Sequence, residues 1–161
     1  MRKIFQSSSE GFTFLELIVV TAILGILAMG ALPMVRVSIK RQREMDYRYT
    51  LKTVRAAIDK FKDFCDSGQI APTEVTYGAD CYPTSLEQLV EGVTTQQDAA
   101  SGKRKKFLRK IPIDPITGTT DWGKRSATDP VDAKAWGGSS IYDIYTKSEG
   151  KALNGTKYRD W

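Results

Sequence analysis

One apolar segment near the N-terminus constrains this chain more than any other feature. No charged residue lies between Glu16 and Arg36, and Phe12, Phe14 and Leu15 extend the apolar stretch towards the N-terminus. A helix needs about 20 apolar residues to cross the roughly 30 Å of hydrocarbon in a bilayer, at about 1.5 Å per residue. The sequence therefore predicts one membrane-spanning helix, followed by one modest domain.

A cleaved secretory signal is the first alternative for this segment. Arg2 and Lys3 supply the basic start that such a signal needs. The apolar run, however, is longer than the roughly 7–15 residues of a signal peptide. Small residues that would mark a cleavage site, Ala28, Gly30 and Ala31, lie inside the run and do not end it. We therefore favour a retained helix.

A single carboxylate, Glu16, lies at the start of the apolar segment. In the first turn of a helix it would complement the positive end of the dipole, and near the bilayer edge it costs less than the ~2.5–3.5 kcal/mol of a central charge. Carboxylates within membranes are nevertheless candidates for function. The partner that we predict is a free α-amine at Phe12, created by cleavage after Gly11, on a neighbouring helix shifted along its axis.

The composition argues against an enzyme. The chain has no histidine and two cysteines among 161 residues. Ser-His-Asp and Cys-His catalysis are therefore excluded, and two cysteines without histidine make a poor zinc site. The residues after the apolar segment show no paired-carboxylate motif. We predict a non-enzymatic protein, against the alternative of a membrane-anchored enzyme or binding domain.

The helix is predicted to continue beyond the membrane. Apolar residues recur at spacings of three and four, while charged residues fill the other faces. A glycine at position 68 is a suitable stop. The sequence predicts one helix from Phe12 to Phe64, about 80 Å long if unbroken. The members of the apolar stripe are Tyr47, Leu51, Val54, Ile58, Phe61 and Cys65.

The N-terminal motif "GFTFLELIVVTAILGILA" resembles the class III signal of type IV pilins and type II secretion pseudopilins. The resemblance implies that a prepilin peptidase cuts between Gly11 and Phe12, that Phe12 is then N-methylated, and that Glu16 guides assembly. It also implies that the helix loosens between Gly25 and Pro33 in the assembled state. Independently, proline cannot donate a helical hydrogen bond, and glycine weakens a helix by about 1 kcal/mol relative to alanine.

The C-terminal part resembles the major pseudopilin of type II secretion more narrowly, through "YPTSLEQLV", "FLRKIPIDPITG", "IYDIYTKSEG" and "RDW". The fold class we predict is α+β and type IV pilin-like. A long N-terminal helix, membrane-spanning in its first half, packs on a small antiparallel β head with a short helix and long loops. The predicted parts are a leader (1–11), a transmembrane and assembly half of the helix (12–35), its amphipathic half (36–64) and a periplasmic head (65–161).

The short elements of the head can be placed approximately. We expect a short helix capped at Thr84 or Ser85 and ending by Gly92. A proline-rich stretch then favours extended structure with turns, and alternating residues around Ile144 favour a strand. The Asn-Gly pair at 154–155 predicts a turn.

The resemblance implies a structural subunit of a type II secretion pseudopilus that polymerises through its N-terminal helix. Its implied partners are copies of itself, minor pseudopilins, the prepilin peptidase, an inner-membrane assembly platform and an ATPase. A surface type IV pilus subunit for motility, adhesion or DNA uptake is the alternative. The resemblance also implies a single-pass inner-membrane protein with a periplasmic head. The positive-inside rule alone favours the opposite orientation, because basic residues crowd positions 36–43.

Three further sites are predicted. Cys65 and Cys81 are expected to form a disulfide in an extracytoplasmic head, with two reduced thiols as the alternative. The resemblance implies calcium as the candidate cofactor, with Glu149 and Asp160 as ligands or, alternatively, as solvated surface carboxylates. Residues 102–110, "GKRKKFLRK", are a basic cluster for which a solvated face or an acidic surface on an adjacent subunit is favoured over nucleic acid.

Overall fold

The computed structural model describes residues 11–75, 80–98, 101–130, 133 and 135–161, and for residues 31–32 the helical backbone alone. It divides into two compact units, Met1–Lys40 and Arg41–Trp161, which are treated separately below.

The longest element is helix α1, which runs from Phe14 to Asp66 over 53 residues. It ends at a glycine turn, because Gly68 has a φ of +69°, in the left-handed region that favours glycine. The predicted helix from Phe12 to Phe64 is therefore confirmed, with both ends shifted by two residues.

The predicted apolar stripe on the second half of α1 is buried in the core of the second unit. All six of its members are at most 8% exposed. They pack against apolar side chains from the rest of that unit, which removes the stripe from water. These partners include Leu86, Leu89, Val93, Trp122, Ile141, Ile144, Ala152 and Tyr158.

Helix α2, Leu86–Glu91, is a short capped helix. The Ser85 hydroxyl accepts a hydrogen bond from the Gln88 N–H (3.2 Å), and the Gln88 side-chain oxygen accepts one from the Thr84 N–H (2.9 Å). This reciprocal arrangement satisfies two donors at the helix N-terminus. Gly92 ends the helix with a φ of +82°. Both predicted ends of this helix are confirmed.

The strands are short and form two antiparallel pairs. Strands β1 and β2 pair Val93 with Lys105, and strands β3 and β4 pair Gly123 with Tyr145. The strand bounds are Val93–Thr94 for β1, Arg104–Lys105 for β2, Gly123–Arg125 for β3 and Asp143–Tyr145 for β4. Two 3₁₀ turns complete the regular structure, at Pro72–Glu74 and Tyr158–Asp160. The α+β fold class is thus confirmed.

The proline-rich segment forms turns, as the sequence predicts. Asp114 organises them although it is fully buried. Its carboxylate accepts hydrogen bonds from the Ile116 N–H (2.8 Å) and the Thr117 hydroxyl (2.9 Å), and another from the Thr146 hydroxyl. Several donors compensate the burial of this charge. The segment is therefore fixed beside the end of β4.

Candidate processing and assembly site

The predicted cleavage junction is accessible in the structure. Gly11 and Phe12 have no regular secondary structure, and Phe12 is 80% exposed. Exposed, irregular backbone is what proteases cut most readily. The position is therefore suited to a peptidase, while cleavage itself stays a prediction.

Thr13 fixes where the helix begins. Its hydroxyl accepts a hydrogen bond from the Glu16 N–H (3.2 Å), and its carbonyl accepts one from the Leu17 N–H (3.1 Å). Thr13 is therefore the N-cap of α1, and Glu16 lies in the first turn. Our sequence reasoning did not identify Thr13, although Thr-x-x-Glu before an apolar run is a capping signature.

The Glu16 side chain is exposed, and among the described residues its carboxylate has neither an ion pair nor a side-chain hydrogen bond. At the N-terminus of α1 the helix dipole favours its negative charge. The carboxylate is therefore free to meet a cationic group from outside its own chain. The predicted pairing with a Phe12 amine stays a prediction.

The first unit leaves its apolar side chains uncovered. Among the described residues, one helix is long and apolar enough to cross a membrane, and none of its apolar window is buried. A contiguous apolar surface of this size is far larger than a monomeric soluble protein exposes. Its members include Phe14, Leu15, Leu17, Ile18, Val19, Ile23, Leu24, Ile26, Leu27, Met29 and Met34. This surface therefore needs lipid or other helices to cover it.

Gly25 and Pro33 both lie inside continuous helix in the single chain. A Cβ at Gly25 would meet no atom within 4 Å, so packing inside this chain does not require glycine there. Pro33 lacks the N–H that would bond the Met29 carbonyl. The loosening predicted for these positions concerns the assembled state and stays a prediction.

The second unit contains a disulfide between Cys65 and Cys81, whose Cα atoms are 5.5 Å apart. It ties the end of α1 to the loop before α2. Beside it, the Lys62 ammonium donates to the Asp80 carbonyl (3.1 Å) and lies 4.8 Å from the centre of the Tyr82 ring. The loop that begins after α1 is thus fastened at its far end.

Arg55 links α1 to β4 and to the last residue. Its guanidinium donates to both carboxylate oxygens of Asp143 (2.6 and 3.0 Å) and to the main-chain oxygen of Trp161 (2.7 Å). Trp161 also stacks under the Arg48 guanidinium, at 3.9 Å from the ring centre. Arg55 is one of the charged residues that lie outside the apolar stripe of α1. The structure half-buries it, because its long side chain reaches around the helix to an acidic partner.

Two buried tyrosines, Tyr47 and Tyr158, lie in the core near these contacts. Burial raises the pKa of Tyr47 to about 12, and burial together with a hydrogen bond to Glu44 raises the pKa of Tyr158 to about 12. The Tyr47 hydroxyl accepts from the Thr146 N–H (3.0 Å) and donates to the Tyr158 carbonyl (3.2 Å). Both phenols are therefore structural groups that stay neutral near pH 7.

The remaining predicted sites lie on the surface. Glu149 and Asp160 are both exposed. Among the described residues, no three histidine, cysteine, aspartate or glutamate side chains form a group that could hold a metal ion. In the basic cluster, Phe107 packs on Phe61 and Phe64, while the lysines before it point outward. The cluster therefore contains strand β2, is anchored by Phe107 and presents a cationic surface.

Comparison with known proteins indicates which class of protein this chain is similar to. Residues 6–32 match the family described as "Prokaryotic N-terminal methylation motif". Together with the long N-terminal apolar helix and the small antiparallel strands, this motif supports a type IV pilin-like protein.

A full-length comparison is more specific. The chain is 27% identical over 160 residues to the type II secretion system core protein G of Pseudomonas aeruginosa, with 97% of each chain covered. No solved structure matches the chain significantly. The motif and this similarity together support a type IV pilin-like pseudopilin.

Proposed function

We propose that this chain is a structural subunit of a type II secretion pseudopilus, which polymerises through its N-terminal helix and drives protein export across the outer membrane. The observation that carries the proposal is the similarity to a type II secretion core protein along 97% of both chains. The methylation motif at residues 6–32 supports the same assignment.

The exposed apolar surface of the first unit supports the proposed polymerisation. Its apolar side chains are exposed and must be covered by lipid before assembly and by neighbouring helices after it. When Phe12 becomes the first residue, its amine carries a positive charge. Pairing that amine with Glu16 of an adjacent copy neutralises both charges in a low-dielectric environment and fixes the stagger between subunits.

The proposal includes a location and a set of partners. The apolar helix anchors the precursor in the inner membrane, with the head in the periplasm. A prepilin peptidase processes it, and an assembly platform with its ATPase adds it to a fibre that also contains minor pseudopilins. In this proposal the chain is a structural subunit without catalysis of its own, and its relative is named as a core protein of a secretion system.

A type IV pilus subunit is the second candidate, because the methylation motif is compatible with both filaments. A deletion strain separates them. Loss of secreted proteins from the medium with normal twitching motility supports the pseudopilus. Loss of twitching with normal secretion would support the pilus instead.

Glu16→Gln tests the assembly mechanism. It keeps the size of the side chain and the cap at Thr13 but removes the charge that the α-amine would meet. We expect fewer fibres by shearing and electron microscopy, with precursor levels and cleavage unchanged. Glu87→Gln is the matched control, because Glu87 lies exposed on α2. Normal fibres from Glu16→Gln would overturn the electrostatic mechanism.

A further inference from the structure

The segment after β4 is where the family resemblance implies bound calcium. Calcium takes six to eight oxygen ligands, which come from carboxylates, main-chain and amide carbonyls and water. The two candidate carboxylates, Glu149 and Asp160, are exposed and belong to no group of three potential ligand side chains among the described residues. These residues do not fit a calcium site.

The charge of the segment also opposes a divalent cation. Between residues 146 and 161, two carboxylates are outnumbered by four cationic side chains, those of Lys147, Lys151, Lys157 and Arg159. A bound Ca²⁺ would be repelled by these side chains unless it were shielded by additional carboxylates. The positive charge of the segment and its small number of carboxylates therefore both argue against a calcium site there.

At the start of the segment, the Lys147 side chain forms an ion pair with Asp121. The Lys147 ammonium lies 2.6 and 2.7 Å from the two carboxylate oxygens of Asp121. The β3–β4 register pairs Gly123 with Tyr145, and continuing it by two residues beyond the strands places Asp121 opposite Lys147. Both side chains are largely exposed, 52% for Lys147 and 71% for Asp121, so this pair adds little to stability.

The segment satisfies its own main-chain groups. The Ala152 N–H donates to the Thr156 carbonyl (2.8 Å), and the Tyr158 N–H donates to the Gly150 carbonyl (3.2 Å). The Asn154 side chain accepts from the N–H and the hydroxyl of Thr156 (3.1 and 2.7 Å). These hydrogen bonds hold the loop in shape from within.

Glu44 fastens the segment to α1. One of its carboxylate oxygens, Oε1, accepts hydrogen bonds from the Leu153 N–H (2.8 Å) and from the Tyr158 hydroxyl (2.9 Å). Hydrogen bonds to an ionised acceptor are among the stronger ones. A carboxylate from the helix therefore holds the two sides of the loop together.

We propose that residues 146–161 are held in place without calcium, by Glu44 on α1 and by the hydrogen bonds within the segment. This inference concerns the stability of the second unit and does not depend on whether the chain polymerises in a pseudopilus.

The test is a thermal melt of the full chain in detergent, with calcium chloride or with EGTA. Tryptophan fluorescence reports on the second unit alone, because all three tryptophans lie in it. We expect the same midpoint within about 1 °C in both buffers, whereas a calcium site filled to about 100 times its Kd would raise it by roughly 10 °C.

Two variants complete the test. Glu44→Ala should lower the midpoint by roughly 5 °C in both buffers, because it removes both hydrogen bonds. Glu87→Ala, at an exposed position, should stay within about 1 °C of the parent. A midpoint raised by calcium by more than about 3 °C would overturn the proposal, and so would a Glu44→Ala variant that melts like Glu87→Ala.

Discussion

Replacing Arg55 with methionine should destabilise the second unit by about 2 kcal/mol. Arg55 makes three hydrogen bonds, two to Asp143 and one to the main-chain oxygen of Trp161. The side chains are 37% and 19% exposed for Arg55 and Asp143. The pair therefore lies between an exposed pair, worth at most about 1 kcal/mol, and a buried pair whose disruption costs about 3–5 kcal/mol.

The measurement is urea unfolding of the full chain in detergent, followed by tryptophan fluorescence. Methionine keeps most of the apolar stem of Arg55, so the loss reports on the hydrogen bonds. Arg109→Met is the matched control, because Arg109 is an exposed arginine. A double mutant with Asp143→Asn should lose less than the sum of the two single losses. An Arg55→Met variant within about 0.5 kcal/mol of the parent would refute this reasoning.

Three further predictions concern the same unit and use the same unfolding assay. Reduction of the Cys65–Cys81 disulfide should lower the free energy of unfolding by about 3 kcal/mol, because it opens a loop whose ends are 16 positions apart. An unfolding curve that dithiothreitol leaves unchanged would contradict this. The raised pKa values of Tyr47 and Tyr158 give stability that is complete below about pH 10 and is lost as the pH rises towards 12. Tyr47→Phe should flatten that alkaline loss, and an equally steep loss in the variant would be inconsistent with it. Gly92→Ala should cost more than about 1 kcal/mol, because φ is +82° and a Cβ would collide with a carbonyl oxygen of β2; a stability equal to that of the parent would show the position to be unstrained.

Much of the fold could be predicted because local patterns agree with it. The stripe from Tyr47 to Cys65 follows helical spacing, and the structure buries all of it. The caps of α2 and the glycine after α1 also follow local chemistry. Strand β4 is shorter than the alternating sequence around Ile144 suggests, and only three of its residues pair with β3.

The long-range contacts could not be predicted in this way. Glu44 bonds to Leu153 and Tyr158, more than 100 positions away, and Arg55 bonds to Asp143 across 88 positions. Helical periodicity places both residues only relative to the axis of α1, and nothing local indicates which partner each one meets. Thr13 differs, because its capping signature lies within four residues and was available in the sequence.

Mass spectrometry of the mature N-terminus directly tests the proposed pairing of a Phe12 amine with Glu16 of a neighbouring subunit. We expect a chain that begins at Phe12 with one methyl group on its amine, because only cleavage after Gly11 creates the charge that meets Glu16 of a neighbour. A mature chain that begins at any other residue would contradict it.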